Sequence, residues 1–386
     1  MKKKCLVITF CFPPYPSPES FITSKLLEGL SEFLDITVLT LQTNEEKKKV
    51  YFNSNIKLIK VKLPSIINLI INLPRLPIRP DRFIISIYWL KKKLNEINLD
   101  NYDIIFTRSQ FHSSHILGLY IKKIFPNKKW IASFSDPWSQ NAFQKNVIFF
   151  TKLSDYYEKK VLKKADTLIF PLINLRNHFN KQTADNIIKK SLIVRHSYSE
   201  FKFTDYIKKN KVFTIRFFGK IYAERNLLPL LEVLKKCHYE GIKIKGDFYI
   251  DNDYISQNKK LLKEYQKYVS LNSYVNNEIY LRLVKSSDLL VILDGNSKVL
   301  KSFFQSKVVD YLGSKKMILH IGKCNTINKK ITLKNNGYSC ENDVKSISKT
   351  LKKILKNKSQ FRPNLSLIKK FDSKYVAQKL FKDLDL

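Results

Sequence analysis

The segment that most constrains the fold is residues 303–321, in which a short helix runs directly into an apolar strand. Residues 307–312 have helical character, Gly313 is expected to stop the helix, and residues 317–321 have the apolar run of a buried strand. A helix, a glycine stop and a buried strand in direct succession are typical of α/β proteins. We therefore expect an α/β fold.

A series of strand, loop and helix begins the chain. Residues 5–12 are a predicted strand, the proline-rich loop 12–20 leaves its carboxyl end, Ser20 is the expected cap of a helix over 21–33, and 36–41 is the next strand. Ligands of such βαβ units bind at the carboxyl ends of the strands. The loop is therefore a candidate binding loop, or alternatively a connection stiffened by its prolines.

A second series begins at 212–218, a predicted strand that is followed by Gly219, Lys220 and a loop containing Arg225. The predicted helix 227–236 comes next. Both cations are able to reach an anion held at the start of that helix, which makes the loop a candidate clamp for a pyrophosphate group.

The length of 386 residues predicts two domains, each with its own core. Residues 199–211 are polar and lack apolar periodicity, so we expect a first domain over 1–198, this linker, and a second domain over 212–365. Residues 366–386 are expected to form a terminal helix that packs back on the first domain.

The net charge of +37, from 70 Lys and Arg against 33 Asp and Glu, indicates attraction to nucleic acid or to an anionic membrane surface. The lysines are scattered along the chain, and no zinc-finger, RNP or helix-turn-helix signature accompanies them, which weakens the nucleic-acid hypothesis. A lysine-rich proteome bias is the alternative source of the charge.

Residues 64–93 are the candidate for membrane contact. Apolar and aromatic clusters alternate there with Arg and Lys, the combination that a segment at a lipid headgroup surface needs. The alternative is an insertion that covers the domain core while its cations are solvated. No apolar run in the chain approaches the ~18 residues of a membrane span.

Five cysteines without a CxxC pair fit a reducing compartment. The basic start and the apolar run after it imitate a signal peptide, but the run is short, ends in Pro13-Pro14 and lacks a small-x-small cleavage site, so a buried strand is expected instead. We expect a cytoplasmic protein.

Candidate site residues of the first half follow predicted strands. Arg108, His112 and His115 follow one strand, and Asp136 follows another. The histidines lack nearby carboxylates for a metal site, so they are hydrogen-bonding or acid–base candidates, or else partly exposed loop residues. Asp136 precedes a proline, which favours an extended geometry that suits an aimed carboxylate; an Asx turn is the alternative.

Ser306, Lys307 and Asp310 are the candidates of the helix near the end of the chain. The amides of Gln305, Ser306 and Lys307 are the unpaired donors expected at its start, where an anion is able to bind. Asp310 lies further along the helix and is able to accept a hydrogen bond from a hydroxyl group.

Four motifs in this order resemble the GT-B glycosyltransferases of the family-4 type, in particular bacterial members that build surface polysaccharides. The motifs are Phe12-Pro13-Pro14, Ser135-Asp136-Pro137-Trp138, Phe218-Gly219-Lys220-Ile221-Tyr222 with Arg225-Asn226, and the run from Ser306 to Gly313. The resemblance covers most of the chain except 64–93 and the extreme tail. It implies two Rossmann-like domains facing a cleft, with a nucleotide-sugar donor on the C-terminal domain and an acceptor on the N-terminal domain.

The resemblance also implies roles on the donor side. Lys220 and Arg225 match the cationic pair that neutralises the donor diphosphate, with Ser306 and Lys307 beside them. Asp310 matches the second acidic residue of the E-x7-E pattern, which accepts hydrogen bonds from the ribose hydroxyls. Ser302 stands where the first acidic residue would be, so contacts to the donor sugar depart from the pattern.

On the acceptor side, Ser135 stands where many members carry a histidine. Asp136 beside it becomes the candidate catalytic residue, which positions the acceptor or stabilises positive charge on the sugar. The remaining acceptor candidates are Ser20, Arg108, His112 and His115.

The resemblance therefore implies a retaining glycosyltransferase that uses a nucleotide sugar as co-substrate and needs no metal or other cofactor. The expected acceptor is a glycan or lipid-linked glycan of surface polysaccharide biosynthesis, at the inner face of the plasma membrane. The missing first acid and histidine leave a non-catalytic GT-B-like nucleotide- or glycan-binding protein as the alternative, and a nucleic-acid-binding protein rests on charge alone.

Overall fold

The computed structural model describes residues 1–15, 17–42, 55–73, 78–141, 148–200, 210–221, 225–295, 303–323 and 326–386. The chain divides into two compact units, one formed by Met1–Ser197 with Ser373–Leu386 and one by Tyr198–Asp372. We call them unit one and unit two. Most of the predicted linker 199–211, the middle of the loop after residue 221, and Ser302 lie outside the described residues.

Unit one contains a parallel sheet whose described strands number seven. They are β1 (Lys4–Ile8), β2 (Asp35–Leu41), β3 (Lys57–Val61), β4 (Ile104–Arg108), β5 (Lys129–Ser133), β6 (Thr167–Phe170) and β7 (Ser191–Ile193). Their order in the sheet is β3-β2-β1-β4-β5-β6-β7, and every pairing is parallel. The central strands β1 and β4 are buried except for Lys4, because helices cover both faces of the sheet.

Helices connect these strands. The first six are α1 (Pro18–Leu30), α2 (Ser65–Asn72), α3 (Ile87–Glu96), α4 (Ser113–Ile124), α5 (Ile148–Lys164) and α6 (Ile173–Asn180). Short 3₁₀ helices occupy Arg82–Ser86, Leu99–Asn101 and Ile187–Lys190. The predicted insertion 64–93 therefore consists largely of α2, a 3₁₀ helix and most of α3.

The start of α1 differs from the expected one. Ser17 is the N-cap, and its hydroxyl accepts a hydrogen bond from the amide of Ser20 at 3.1 Å. The prediction that Ser20 is the cap is wrong, because Pro18 already begins the helix and a proline is favoured in the first helical turn. Ser20 instead lies in the first turn with its side chain fully buried.

Unit two contains a second parallel sheet. Its described strands are β8 (Phe213–Phe218), β9 (Ile244–Tyr249), β10 (Val269–Asn272), β11 (Leu289–Leu293), β12 (Met317–Ile321) and β13 (Tyr338–Cys340). Their order is β10-β9-β8-β11-β12-β13, and all pairings are parallel. Its helices are α7 (Leu228–Tyr239), α8 (Asn252–Gln257), α9 (Lys259–Lys263), α10 (Asn277–Ser286), α11 (Lys307–Gly313), α12 (Ile327–Lys334), α13 (Val344–Asn357) and α14 (Leu365–Lys369).

The last helix, α15 (Ser373–Asp383), belongs to unit one and packs against α1. The two helices approach closely at Gly29, where an added Cβ would lie 2.7 Å from the Cβ of Ala377. The rings of Phe33 and Phe381 stack at a centroid distance of 5.1 Å. The end of the chain thus helps to close the core of the unit that its beginning forms.

The end of α11 also differs from the expected one. Gly313 is inside the helix, Ser314 is the C-cap, and the residue with positive φ is Lys315, at 60°. The prediction of a glycine stop is therefore wrong. Gly313 is required for a different reason, since a Cβ there would clash with the ring of Tyr198.

Each sheet reverses its strand order once, and this defines the edge where ligands bind in such folds. In unit one the reversal lies between β1 and β4, and in unit two it lies between β8 and β11. Open α/β sheets bind ligands outside the carboxyl ends of the strands at such a point. We therefore expect a site among the residues that follow these four strands.

Candidate functional site

In unit two, Gly219 and Lys307 meet at the carboxyl end of β8. The amine of Lys307, at the start of α11, donates a hydrogen bond to the carbonyl of Phe218 and lies 4.5 Å from the centre of the Phe217 ring. Gly219 has φ +146°, and a Cβ there would clash with the Lys307 amine. A glycine is therefore required at position 219, both by its positive φ and by the close approach of the Lys307 amine.

The predicted cations Lys220 and Arg225 lie on the loop that follows. The Arg225 guanidinium donates to the carbonyl of Lys220 at 3.3 Å, which ties the two ends of the loop together. The Lys220 side chain is exposed, and that of Arg225 is half-buried. Arg225 also lies close enough to Lys307 to lower the pKa of its amine. Three cations are thus gathered at the sheet edge where an anion is expected.

Asp294 follows β11 on the other side of the reversal and forms the centre of a buried polar network. It accepts hydrogen bonds from Nε2 of His320 at 2.9 Å and from the hydroxyl of Thr326 at 2.6 Å. The side-chain amides of Gln305 and Asn328 also donate to it. Burial alone would raise the pKa of Asp294, but these donors outweigh burial and hold it at about 2, so the carboxylate is ionised.

This network fixes the segment that leads into α11. Gln305 donates to Asp294 through its side chain, and its backbone amide donates to the side-chain oxygen of Asn328 at 3.3 Å. The prediction that the Gln305 amide is unpaired is therefore wrong. Ser306 is the residue before α11 and its side chain makes no capping hydrogen bond.

Asp310 is buried on α11 and contacts an aromatic residue of α10. The hydroxyl of Tyr280 donates to the Asp310 carboxylate at 3.3 Å. Burial raises the pKa of Tyr280 well above its ordinary value, and the Asp310 charge raises it further. The Tyr280 ring in turn packs edge-on against Phe218 at 5.0 Å. Asp310 is thereby connected to the same strand end as Lys307.

In unit one, Arg108 ends β4 and holds a buried ion pair with Glu19 of α1, with an N–O distance of 2.8 Å. Its guanidinium also donates to the hydroxyls of Thr23 at 2.9 Å and Ser133 at 3.0 Å. The Ser135 hydroxyl donates to the same Glu19 oxygen at 2.5 Å. Arg108 was predicted to bind an acceptor, but in this structure its donors are used inside the protein.

Asp136 lies beside this network after β5. Its carboxylate accepts a hydrogen bond from the side-chain amide of Gln110 at 2.6 Å. Burial raises the pKa of Asp136 to about 7, the Glu19 charge raises it as well, and the Gln110 hydrogen bond opposes both. A carboxyl group that titrates near neutral pH is able to accept or donate a proton under physiological conditions.

The two predicted histidines are enclosed by aromatic rings. His112 stacks on Trp138 at 4.7 Å, and burial lowers its pKa to about 3. His115 packs on Phe134 at 4.5 Å. Its Nδ1 is hydrogen-bonded to the hydroxyl of Thr107 at 2.8 Å. The interpretation of both as partly exposed loop residues is wrong, and neither they nor the enclosed Ser20 present a side chain to an acceptor.

Glu19, Gln110, Asp294 and His320 are the polar site residues that sequence reasoning missed. Glu19 follows the predicted strand 5–12, Gln110 lies between Arg108 and His112 after another predicted strand, and Asp294 follows the apolar run 289–293. The rule that ligands bind at the carboxyl ends of strands therefore applied to all three. His320 carried no such signal, because it lies inside an apolar strand.

No protein family profile matches the sequence, and no curated protein matches it. Several solved structures do match this chain. HepE from Anabaena in complex with UDP is 10% identical, with a TM-score of 0.68 and 99% of each chain covered. Sucrose-phosphate synthase from Thermosynechococcus elongatus is 11% identical, with a TM-score of 0.68 over 100% of this chain and 98% of that one.

The chain has the GT-B fold. A glycosyltransferase from Rickettsia africae is also similar, at 14% identity and a TM-score of 0.64 over 99% of this chain and 97% of that one. The predicted fold class, α/β with two Rossmann-like domains, is confirmed. At these identities the likeness concerns the fold, so the argument for function depends on the residues of the two sheet edges.

Two other kinds of feature are absent from the part of the chain that the structure describes. Among its residues, no group of three or more His, Cys, Asp or Glu side chains is placed to hold a metal ion. None of the helices that the structure describes has both the length and the apolar character to cross a bilayer.

Proposed function

We propose that the protein is a retaining glycosyltransferase that transfers a sugar from a nucleotide-sugar donor to a glycan or lipid-linked glycan in surface polysaccharide biosynthesis. The observation that carries the proposal is the gathering of Lys220, Arg225 and Lys307 around Gly219 at the strand reversal of unit two. Because HepE, which has this fold, has been solved in complex with UDP and with UDP-glucose, a UDP-sugar is the first donor to test.

The donor diphosphate is proposed to bind against Lys220 and Arg225. When the bond between the sugar and the diphosphate breaks, negative charge accumulates on the leaving phosphate, and fixed cations stabilise it most in that state. The Arg225 hydrogen bond to the Lys220 carbonyl holds these two residues together before the donor arrives, which lowers the cost of positioning them. Asp310 is proposed to accept from the ribose hydroxyls. The reaction as proposed requires no metal.

Asp136 is proposed to position the acceptor hydroxyl in unit one. Its carboxylate is held by Gln110, and Gln110 leaves room for a second hydrogen bond because a carboxylate has about four acceptor sites. An ionised Asp136 makes the acceptor oxygen more nucleophilic by accepting its proton. Arg108 and Glu19 support this role indirectly. Arg108 pairs with Glu19, and Glu19 accepts a hydrogen bond from the hydroxyl of Ser135, the residue before Asp136.

A transfer assay tests the proposal. Purified protein is incubated with UDP-, GDP-, ADP- and dTDP-sugars and with glycan or polyprenyl-diphosphate-linked acceptors, and release of nucleoside diphosphate and formation of product are measured. We expect turnover with one donor class and retention of the anomeric configuration in the product. Donor binding without release or transfer would favour the non-catalytic alternative, and an inverted product would remove the retaining assignment.

We expect the activity to rise with pH through a group with a pKa near 7, which is the titration of Asp136 to its carboxylate form. Asp136→Asn should lower kcat/KM by roughly 100-fold and abolish this rise, within the range of 10²–10⁴ for a general base. Gln110→Leu removes the hydrogen bond that lowers the pKa, so it should move the rise to higher pH. A rise that is unchanged in Asp136→Asn would assign it to another group.

We propose that α2 and α3 bring unit one to an anionic membrane surface. Ile66 and Leu69 of α2 are 67% and 66% exposed, and Tyr88 of α3 is 68% exposed, although apolar side chains of this size are ordinarily buried. Both helices pack against the same 3₁₀ helix, and Lys92 is exposed on α3. Exposed apolar groups beside lysines bind an anionic bilayer by burial of apolar area and by charge attraction together.

Ile66→Ser/Leu69→Ser should reduce co-sedimentation with vesicles of phosphatidylglycerol and phosphatidylcholine by roughly tenfold, because two apolar side chains of about 1.5 kcal/mol or less each lose their contact with lipid. Ile279→Ser, at an exposed apolar position of unit two, serves as the matched control. Equal sedimentation of the double variant and the control would reject this surface as the contact.

A further inference from the structure

The side chain of Lys307 is half-buried, and its amine lies against the Phe218–Gly219 turn that is proposed to hold the diphosphate. It donates to the carbonyl of Phe218, it lies over the Phe217 ring at 4.5 Å, and it fills the space that a Cβ of Gly219 would need. A lysine amine that only neutralised an exposed anion would not need to enter the protein in this way. Its position links the start of α11 to the end of β8.

The charges around this amine do not compensate a positive charge on it. Within the described residues no carboxylate forms an ion pair with Lys307. The charged groups that act on it are Arg225, which repels a second cation, and Asp294, whose oxygens are already engaged by other donors. Burial lowers the pKa of Lys307 well below its ordinary value, Arg225 lowers it further, and Asp294 opposes them only in part.

We propose that Lys307 is a positioning residue for the Phe218–Gly219 turn that takes up a proton from solvent when a nucleoside diphosphate binds beside Arg225. This inference rests on the proposed function. In the free protein a neutral amine avoids repulsion from Arg225 and still donates to the Phe218 carbonyl. A bound diphosphate brings negative charge close to the amine, which favours the ammonium form. The donor thereby creates the cation that helps to hold it.

Proton uptake makes binding dependent on pH. Between the pKa values of the amine in the free and the bound protein, the affinity for a diphosphate falls by about tenfold for each unit of rising pH, because each binding event requires about one proton. An arginine at position 307 would be charged in both states and would bind without uptake. A methionine keeps most of the length of the side chain but has no amine.

Isothermal titration of the full chain with UDP tests the proposal. At about pH 8.5, which is above the second phosphate pKa of about 6, heats measured in buffers of different ionisation enthalpy give the number of protons exchanged. We expect net uptake, of at most one proton, by the wild type and by the control Lys330→Met, and about none by Lys307→Met and Lys307→Arg. Lys307→Arg keeps a donor for the Phe218 carbonyl, so it serves if Lys307→Met does not fold.

The outcomes separate this inference from the function on which it rests. UDP binding without proton uptake by the wild type, or with the same uptake by Lys307→Met or Lys307→Arg, would overturn the role of Lys307 and leave the donor site standing. Failure of UDP, GDP and ADP alike to bind the wild type would overturn the donor site and this inference together.

Discussion

The Lys220→Ala/Arg225→Ala variant is expected to transfer sugar with a kcat/KM lower by about 10²- to 10⁴-fold than the wild type. A hydrogen bond between an ionised donor and a phosphate contributes roughly 1.5–3 kcal/mol, which is about 10- to 150-fold for each cation. Because Arg225 also anchors the Lys220 backbone, the two effects need not add, and the single variants are measured beside the double one.

The division of this loss between kcat and KM is informative. If the cations stabilise the leaving diphosphate more than the bound donor, kcat falls with kcat/KM, whereas equal stabilisation of both states raises KM alone. We expect both changes, with the larger one in kcat. The control is Lys352→Ala/Arg362→Ala, which removes the same two charges from an exposed part of unit two. A similar loss in the control would mean that net charge, rather than this loop, attracts the donor.

The strand β12 was predictable because its sequence is a short, mostly apolar run that follows a helix and a turn. The predicted bounds, 317–321, agree with the structure. β10 and β13 were missed. Both are short edge strands whose residues are partly exposed, and they become strands through their pairing with β9 and β12.

The errors at the two helix ends have different causes. Ser17 followed by Pro18 is a stronger start signal than Ser20, because a capping hydroxyl and a proline at the first helical position act together. Gly313 could not be interpreted correctly from local sequence, since the ring that requires a glycine there belongs to Tyr198, more than a hundred positions earlier. Local patterns specify backbone conformation, whereas close approach depends on tertiary structure.

The sequence predicted which strand ends carry the candidate site residues, but it did not predict which residues pair with one another. The rule that ligands bind at carboxyl ends placed Arg108, Asp136 and Lys220 correctly at their sheet edges. It could not show that Arg108 is paired with Glu19, or that Lys307 lies beneath Gly219. Whether a cation faces a ligand or a neighbouring carboxylate depends on contacts between residues far apart in the chain.

The pair of Arg108 and Glu19 carries the second large expected effect. Arg108→Met should destabilise unit one by about 3–5 kcal/mol, because it leaves a buried carboxylate without its partner. Glu19→Met should have a similar effect by leaving the guanidinium unpaired. The variant with both changes should recover most of the loss, since replacing both members of a buried ion pair with apolar side chains is often close to neutral.

Unfolding in urea measures these changes, with tryptophan fluorescence as the signal. The three tryptophans of the chain, Trp89, Trp130 and Trp138, all lie in unit one, so the signal reports this unit. The interaction energy of the pair follows from the two single variants and the double one. A double variant as unstable as Arg108→Met would show that Arg108 acts through Thr23 and Ser133 instead of Glu19.

The pH dependence of the Arg108→Met variant gives an independent check with a definite sign. Burial already raises the pKa of Glu19, and Arg108 is the largest influence that opposes it, so removing Arg108 raises the pKa further. A carboxyl whose pKa is raised in the folded protein stabilises it below the unfolded value of 4.5 and loses this effect as pH rises through the folded value. The deficit of Arg108→Met should therefore be smaller at pH 5 than at pH 8, whereas the double variant, which lacks both groups, should show a much smaller difference. A deficit that is equal at both pH values would place the cost in lost packing around the arginine stem rather than in an unpaired charge.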